Sequence, residues 1–305
     1  MSNLHVITVM RKLESIRKLL SGVDHSNPIC SVCKIRWLGT EREFMTAGTA
    51  WWIALAGMLV LMSLFWWMHL RKANASIVDI GWTLGIGLGS IFFGWAGPAP
   101  LPSRLIIVAM VLLWSLRLGA HLAKRVWHGP EDPRFGDLRS RFGQQSALAF
   151  FAIFELQALV GAIFVLPVLY VCWNTGSVDT GWEWAGAIVW LIGWYGESLA
   201  DLQLSRFKRK AASAGQVCRE GLWAYSRHPN YFFEFILWVG IALYASGLPG
   251  GAWSWICPVL ILILLLKGSG IPPTEAQALK TRGDRYRLYQ QEVSAFVPWF
   301  PKRTR

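Results

Sequence analysis

Charge is scarce in this 305-residue chain. Asp, Glu, Lys and Arg make up 16% of it, against 54% hydrophobic residues and 19 tryptophans. A soluble domain carries about one quarter charged residues, so an ordinary water-soluble globule is excluded. Acidic residues are the scarcer sign, 18 against 30 basic ones. Cysteine is too sparse for a scaffold: Cys30 and Cys33 form a lone C-x-x-C, and Cys172, Cys218 and Cys257 are scattered. That spacing supports neither a zinc site nor a disulfide framework and leaves packing as the role of the last three. Internal repeats and low-complexity stretches are missing, which excludes solenoids and arrays.

What the chain has instead is long apolar runs. Seven occur, at about 48–70, 76–96, 102–121, 147–172, 181–204, 230–247 and 252–270. A hydrocarbon core about 30 Å thick needs about 20 apolar residues per helix. The pattern predicts an all-α integral membrane protein, a bundle of seven transmembrane helices, over residues 46–305. Residues 1–45 read as a basic N-terminal extension. Two polar loops, about 122–146 and 205–229, and a polar tail from Ile271 lie outside the runs. Gly129 to Phe135 is too rich in proline and charge to be expected as helix.

The basic residues give an orientation. Arg71 and Lys72, then Lys124, Arg125, Arg134, Arg139 and Arg141, then the Arg206–Arg227 loop and the tail lie on alternate connections. The intervening ones, near 97–101, 173–180 and 248–251, have no Lys or Arg. Lys and Arg collect on the cytoplasmic side, so the C-terminus is expected there in a multi-pass protein. Residues 1–44 conflict with this, since Arg11, Lys12, Arg17, Lys18, Lys34, Arg36 and Arg42 would have to cross. A biological start at Met45, directly before the first run, removes the conflict. A signal peptide does not, for the segment has no uninterrupted apolar stretch before a small-residue cleavage site. The formal charge of +12 lies beside membrane spans, where anionic lipid and topology account for it, and no nucleic-acid partner is expected.

Several polar groups fall inside the apolar runs, where each is costly unless it meets a partner or a cavity. Asp79 opens the second run, Glu155 and Gln157 sit in the fourth, and Glu197, Asp201 and Gln203 end the fifth. Glu197 and Asp201 share a helix face at i, i+4, as do Arg117 and His121 at the end of the third run. An internal ion-pair network explains these residues as well as a site does. The densest segment is Arg219-Glu220-Gly221-Leu222-Trp223-Ala224-Tyr225-Ser226-Arg227-His228-Pro229-Asn230-Tyr231, with Glu234 three residues on. Pro229 suits a first helical turn and His228 an N-cap. Helix-start amides beside Arg219 and Arg227 would suit an anion such as phosphate. A capped interfacial helix with a basic loop is the plainer reading.

The Gly-Leu-Trp-x-Tyr-Ser-Arg-His-Pro-Asn-Tyr-x-x-Glu run resembles the C-terminal domain of steroid 5-alpha-reductases and their uncharacterised bacterial relatives. The segment Gly193–Lys208, Ser269-Gly270-Ile271-Pro272-Pro273 with Glu275, and Tyr286, Tyr289 and Phe296-Val297-Pro298 extend the likeness over about residues 76–300. The resemblance implies a seven-helix reductase of a bacterial inner membrane. Such an enzyme takes NADPH and adds hydride and proton across an activated C=C bond of a steroid-like or other lipid. It implies cofactor contacts from Arg117, Glu197, Asp201, Lys208, Arg219, Arg227, His228, Asn230, Tyr231, Glu234, Glu275 and Tyr289, and no metal. Asp79 matches the reductases' membrane glutamate. Their tyrosine position is taken by Trp114, whose indole donates a hydrogen bond but cannot transfer a proton at neutral pH. Either a protonated Asp79 or His121 then serves as the acid. Expected partners are a hydrophobic small-molecule substrate and membrane lipid. Two alternatives stay open: an S-adenosylmethionine-dependent methyltransferase of the isoprenylcysteine or phospholipid type, which shares the Arg-His-Pro-x-Tyr helix start, and a non-catalytic lipid-binding protein.

Overall fold

A computed structural model describes residues 45–129, 131–176, 180–210 and 215–302. Residues 1–44, with the expected extension and its C-x-x-C, lie outside them. The described residues belong to one compact unit, Phe44–Arg305. Their regular structure is helical apart from an isolated bridge between Ser226 and Ser294. In chain order the helices are α1 (Ala47–Lys72), α2 (Ile77–Ala96), α3 (Leu101–His128), α4 (Pro133–Phe142), α5 (Ser146–Phe164), α6 (Leu166–Trp173), α7 (Thr180–Lys208), α8 (Pro229–Ser246), α9 (Ile256–Lys267), α10 (Ile271–Arg282) and α11 (Asp284–Glu292).

Every apolar run is helical, but the count of seven crossings is not reached on length and composition. Five stretches meet that measure: Ala47–Lys72, Ile77–Ala96, Leu101–Trp127, Pro133–Trp173 and Gly251–Arg282. The two that do not, α7 and α8, carry Glu183, Glu197, Asp201 and Glu234 along their lengths. These are the helices that build the polar site, and its acids lower their hydropathy. They also approach more closely than ordinary side chains allow. A Cβ on Gly193 of α7 would lie 2.7 Å from the Leu237 Cα, and one on Gly240 of α8 would lie 2.7 Å from the Trp190 Cα.

Local chemistry moved several boundaries. Helix α3 runs past its expected end at 121 to His128, and α4 occupies residues expected as loop. Asp132 caps α4 by accepting from the Arg134 amide at 3.1 Å, and Pro133 stands in its first turn. A proline there loses no bond, because that N–H has no helical acceptor. The fourth run divides at Val165, ahead of Pro167, into α5 and α6. The tail from Ile271 folds into α10 and α11 rather than trailing away. Pro229 and His228 start α8 as the sequence predicts.

Hydrogen bonds mark the two ends of the bundle. At one, Ala99 N donates to Cys172 O at 3.0 Å and Trp173 Nε1 to Met45 O at 3.0 Å. At the other, among the basic connections, Arg134 Nη1 donates to Ser269 O at 2.6 Å and Trp223 Nε1 to Ala200 O at 2.9 Å.

The connection before α4 clamps this basic end. Glu131 accepts from Ala75 N at 2.6 Å and from Arg139, while Asp132 accepts from Arg125 at 2.5 Å and Arg134 at 2.9 Å. Burial alone would raise both carboxyls, but hydrogen bonds from Arg139 and Arg134 overcome it and hold both below the ordinary carboxylate range. A lowered folded-state pKa contributes stability that is complete above the unfolded value and is lost as pH falls through the folded one. The clamp should therefore hold at neutral pH and fail below about pH 4. Thermal unfolding in detergent across pH 3–7 should show an acid limb that is shallower in Asp132→Asn than in the wild type.

Candidate functional site

Two adjoining cavities occupy the basic end, an inner chamber of about 430 Å³ and an outer basin of about 710 Å³. Both are lined by His121, Arg125, Arg134, Asp201, Asn230 and Tyr231, which form the neck between them. The basin adds Lys208, Lys280 and Arg282, and the chamber adds Asp79, Glu197 and Glu234. Charge therefore changes sign along the passage, basic outside and acidic inside.

At the neck, Arg117 of α3 lies between the i, i+4 acids of α7. Its Nη1 donates to Asp201 at 3.0 Å and its Nη2 pairs with Glu197. Asp201 also accepts from Asn230 Nδ2 at 3.4 Å and lies 3.9 Å from His121 Nδ1. Three buried atoms of this network have neither a hydrogen-bond nor an ion-pair partner among the described residues: Arg117 Nε, Glu197 Oε2 and Asn230 Oδ1. Buried polar atoms are rarely orphaned, so two free acceptors at one cavity mark a place for a donor from outside the chain.

Trp114, expected at the chemistry, lies beside it. It is fully buried, does not line the chamber, and donates to Glu234 at 3.0 Å, as Trp238 does at 2.9 Å. The two indoles hold the Glu234 carboxyl in place. Trp82 does line the chamber, and its Nε1 is buried without an acceptor. Sequence reasoning passed over it, although it follows Asp79 at i+3 on α2 and so shares that helix face.

The start of α8 is built from the chain's end. Arg227 lines the basin, but its guanidinium is engaged: Nε donates to Glu275 at 2.6 Å and Nη1 to Val293 O at 2.6 Å. Glu275 lies 3.3 Å from His228 Nε2 and accepts from Gln290 at 2.8 Å. Neither Glu275 nor Arg219 lines either of these two cavities. Arg219 pairs with Glu292, 5.2 Å over the Tyr289 ring. The Tyr289 hydroxyl donates to Trp223 O at 2.5 Å and Ser226 O at 3.2 Å. Burial raises this phenol's pKa, so it stays a donor. His228 and Tyr231 stack at 5.4 Å and 6° on the basin wall. Besides Arg227, the basin is lined by the basic side chains Arg125, Arg134, Lys208, Lys280 and Arg282. Of these, Lys208 is one the resemblance marks as a cofactor contact, whereas the others read in sequence as topology signals, with only their loops to mark them. Among the described residues no group of His, Cys, Asp and Glu is arranged to hold a metal.

Apolar helices around two adjoining polar-lined cavities define a multi-pass helical membrane protein. The chain belongs to the family described as "Protein of unknown function (DUF1295)", a steroid 5-alpha-reductase-like family, whose model matches residues 65–293 and so spans every site residue named above. The uncharacterized protein C594.04c of Schizosaccharomyces pombe is 26% identical over 268 residues, covering 78% of this chain and 77% of that one.

Proposed function

We propose that the chain is an NADPH-dependent membrane oxidoreductase that reduces an activated C=C bond of a steroid-like or other lipid substrate, as a seven-crossing bundle whose basic end and C-terminus face the cytoplasm of a bacterial inner membrane. The observation that carries the reading is the basin-to-chamber passage, with Asn230 Oδ1 unpartnered at its neck and Glu197 Oε2 unpartnered beside the chamber. A carboxamide N–H₂ is the donor those two acceptors suit. Arg125, Lys208, Lys280 and Arg282 suit phosphates, and the Tyr231 and His228 rings suit a flat base. The residues present fit NADPH, which when bound supplies a hydride.

The chain's own groups do the rest. Glu197, Asp201 and Glu234 favour a group that gains positive charge, and Arg117 keeps their repulsion in check. Asp79, a carboxyl with no hydrogen bond among the described residues, faces the chamber and in its protonated form supplies a proton or hydrogen bond to substrate oxygen. His121 at the neck is the second candidate. Helices α5 and α9 present Ile153, Ile261 and Leu265 to the chamber.

Thermal shift of the detergent-purified protein tests this, since a ligand of the folded state raises apparent stability. NADPH should stabilise it more than NADH, and Asn230→Ala should weaken NADPH affinity up to about tenfold, the size of a lost hydrogen bond between uncharged groups. Stabilisation by S-adenosylmethionine alone would support the methyltransferase instead. Silence to all three nucleotides would leave a lipid-binding protein. Asp79→Asn should keep NADPH binding and lose turnover, and turnover at the wild-type rate would remove Asp79 as the acid.

A further inference from the structure

Near the end of the chain, outside every apolar helix, a group of large apolar side chains stands exposed. Val297 is 52% exposed, Trp299 70%, Phe300 77% and Tyr225, in the turn before α8, 42%. The Tyr225 and Phe300 rings meet edge-on at 6.1 Å, and the Trp299 amide donates to Tyr225 O at 2.9 Å. The group is anchored from within. Phe296 packs edge-on against Phe232 of α8 at 5.6 Å, and its carbonyl accepts from Ser226 Oγ at 2.7 Å. Contiguous exposed apolar surface marks an interaction site. In a membrane protein, Trp and Tyr rings at the end of a bundle belong to the interfacial layer between headgroups and acyl chains.

The charge around these rings has one sign. The turn that carries Tyr225 packs on the last turns of α7, where Leu222 N donates to Gln203 Oε1 at 2.9 Å and Trp223 Nε1 to Ala200 O at 2.9 Å. There Leu202 and Arg206 of α7, one turn apart on one face, are exposed, and so is Arg209 just past the helix. Lys302 is exposed two residues beyond Phe300, and its amide donates to Glu292 O at 2.8 Å. The acids of this region are already matched, Glu220 by Lys210 at 2.5 Å and Glu292 by Arg219. Arg206, Arg209 and Lys302 have no acidic partner among the described residues, so their positive charge is left uncancelled at the same end as the exposed rings.

We infer that this aromatic hook and its cations form a docking surface for anionic phospholipid, seated in the headgroup layer of the leaflet at the basic end. Trp299 and Phe300 enter the layer, while Arg206, Arg209 and Lys302 meet lipid phosphates. A neutral bilayer offers the rings the same layer but gives the cations no net counter-charge, so charge complementarity selects the anionic surface. The docked segment is also the one that holds the turn before α8. Trp299 N bonds to Tyr225, Phe296 O to Ser226, and Ser294 O receives the Arg227 amide at 2.8 Å. That turn leads straight into His228 and Asn230 on the basin wall. Anionic lipid that holds Val297 to Phe300 in place therefore favours the locked state of the turn, and the charge of the bilayer is felt at the cavity.

Hydrogen exchange of the full chain, read by mass spectrometry in nanodiscs of phosphatidylcholine and in nanodiscs of phosphatidylcholine mixed with phosphatidylglycerol, tests the inference. Peptides covering 222–228 and 294–302 should exchange about tenfold more slowly in the anionic discs, while peptides around Cys172 at the far end of the bundle stay unchanged. Sodium chloride at about 0.5 M should remove most of that gain, because salt screens exposed charges. The triple change Arg206→Gln, Arg209→Gln, Lys302→Gln should exchange alike in both discs. Trp299→Ala with Phe300→Ala, which keeps the backbone bonds, should lose most of the anionic gain. Equal exchange of the wild type in the two discs would overturn the inference, as would an anionic gain that survives the triple change. Protection that rises instead with protein concentration in lipid-free detergent would overturn it too, and would assign the hook to a second copy of the chain. If the ring variant fails to fold, the charge variant and the wild type still decide. None of these readouts uses NADPH, so their failure and the failure of the reductase reading are separate results.

Discussion

Arg117→Met is expected to destabilise the folded protein by about 3–5 kcal/mol, the cost of leaving buried charge uncompensated. Arg117 is 14% exposed and its partners Glu197 and Asp201 are 5% and 12% exposed. Water therefore cannot take over when the guanidinium goes. Glu197 also faces Glu234, so removal of the one cation leaves three acids together. Arg117→Lys should fall in between, since an ammonium keeps the charge and loses the planar fork that reaches both acids. The triple change Arg117→Met, Glu197→Gln, Asp201→Asn should regain much of the melting temperature without regaining NADPH binding. That separation is the telling result, because it divides the network's structural part from its binding part. A single Arg117→Met variant that melts with the wild type would mean the acids are held neutral without it.

The second large effect is expected at Gly240. Its missing side chain lets α8 lie against α7, with a Cβ placed 2.7 Å from the Trp190 Cα and 2.8 Å from the Gly186 carbonyl oxygen. Backbone atoms cannot step aside as a flexible side chain can, so Gly240→Val must push the helices apart. Those two helices present Glu197 and Asp201 to Asn230 and Glu234, and displacement of about 1 Å at such a site costs roughly a hundredfold. Loss of folded protein, or folded protein with turnover down about a hundredfold, is the expected outcome. Gly57→Ala is the control, with nothing within 4 Å of the added carbon. It should behave as wild type or gain slightly, since alanine suits a helix better than glycine by about 0.5–1 kcal/mol.

Sequence periodicity carried much of this architecture. Long apolar runs announce helices because lipid leaves the backbone no other partner, and the i, i+4 spacing of Glu197 and Asp201 already placed them on one face. What escaped was of two kinds. Pro133 and Asp132 looked like loop because a proline reads as a breaker until its position in the first turn is known. Partnerships across the bundle were also hidden: nothing local says that Trp114 donates to Glu234, 120 residues away, or that Arg227 is consumed by Glu275 and two carbonyls near the C-terminus. A basic residue in a loop looks the same whether it anchors a segment, reads topology or lines a basin. Arg219 and Lys280 differ only in what the fold brings opposite them.

The start of α8 is tied down by residues that come much later: Ser294 O receives the Arg227 amide, Tyr225 O receives the Trp299 amide, and Tyr289 bridges two carbonyls of the turn before it. In time rather than space, this means that the turn opening α8 is synthesised before the residues that lock it, so its carbonyls and amide wait for Tyr289, Ser294 and Trp299. A chain cut before Tyr289 would keep the apolar helices and lack the lock of the α8 turn.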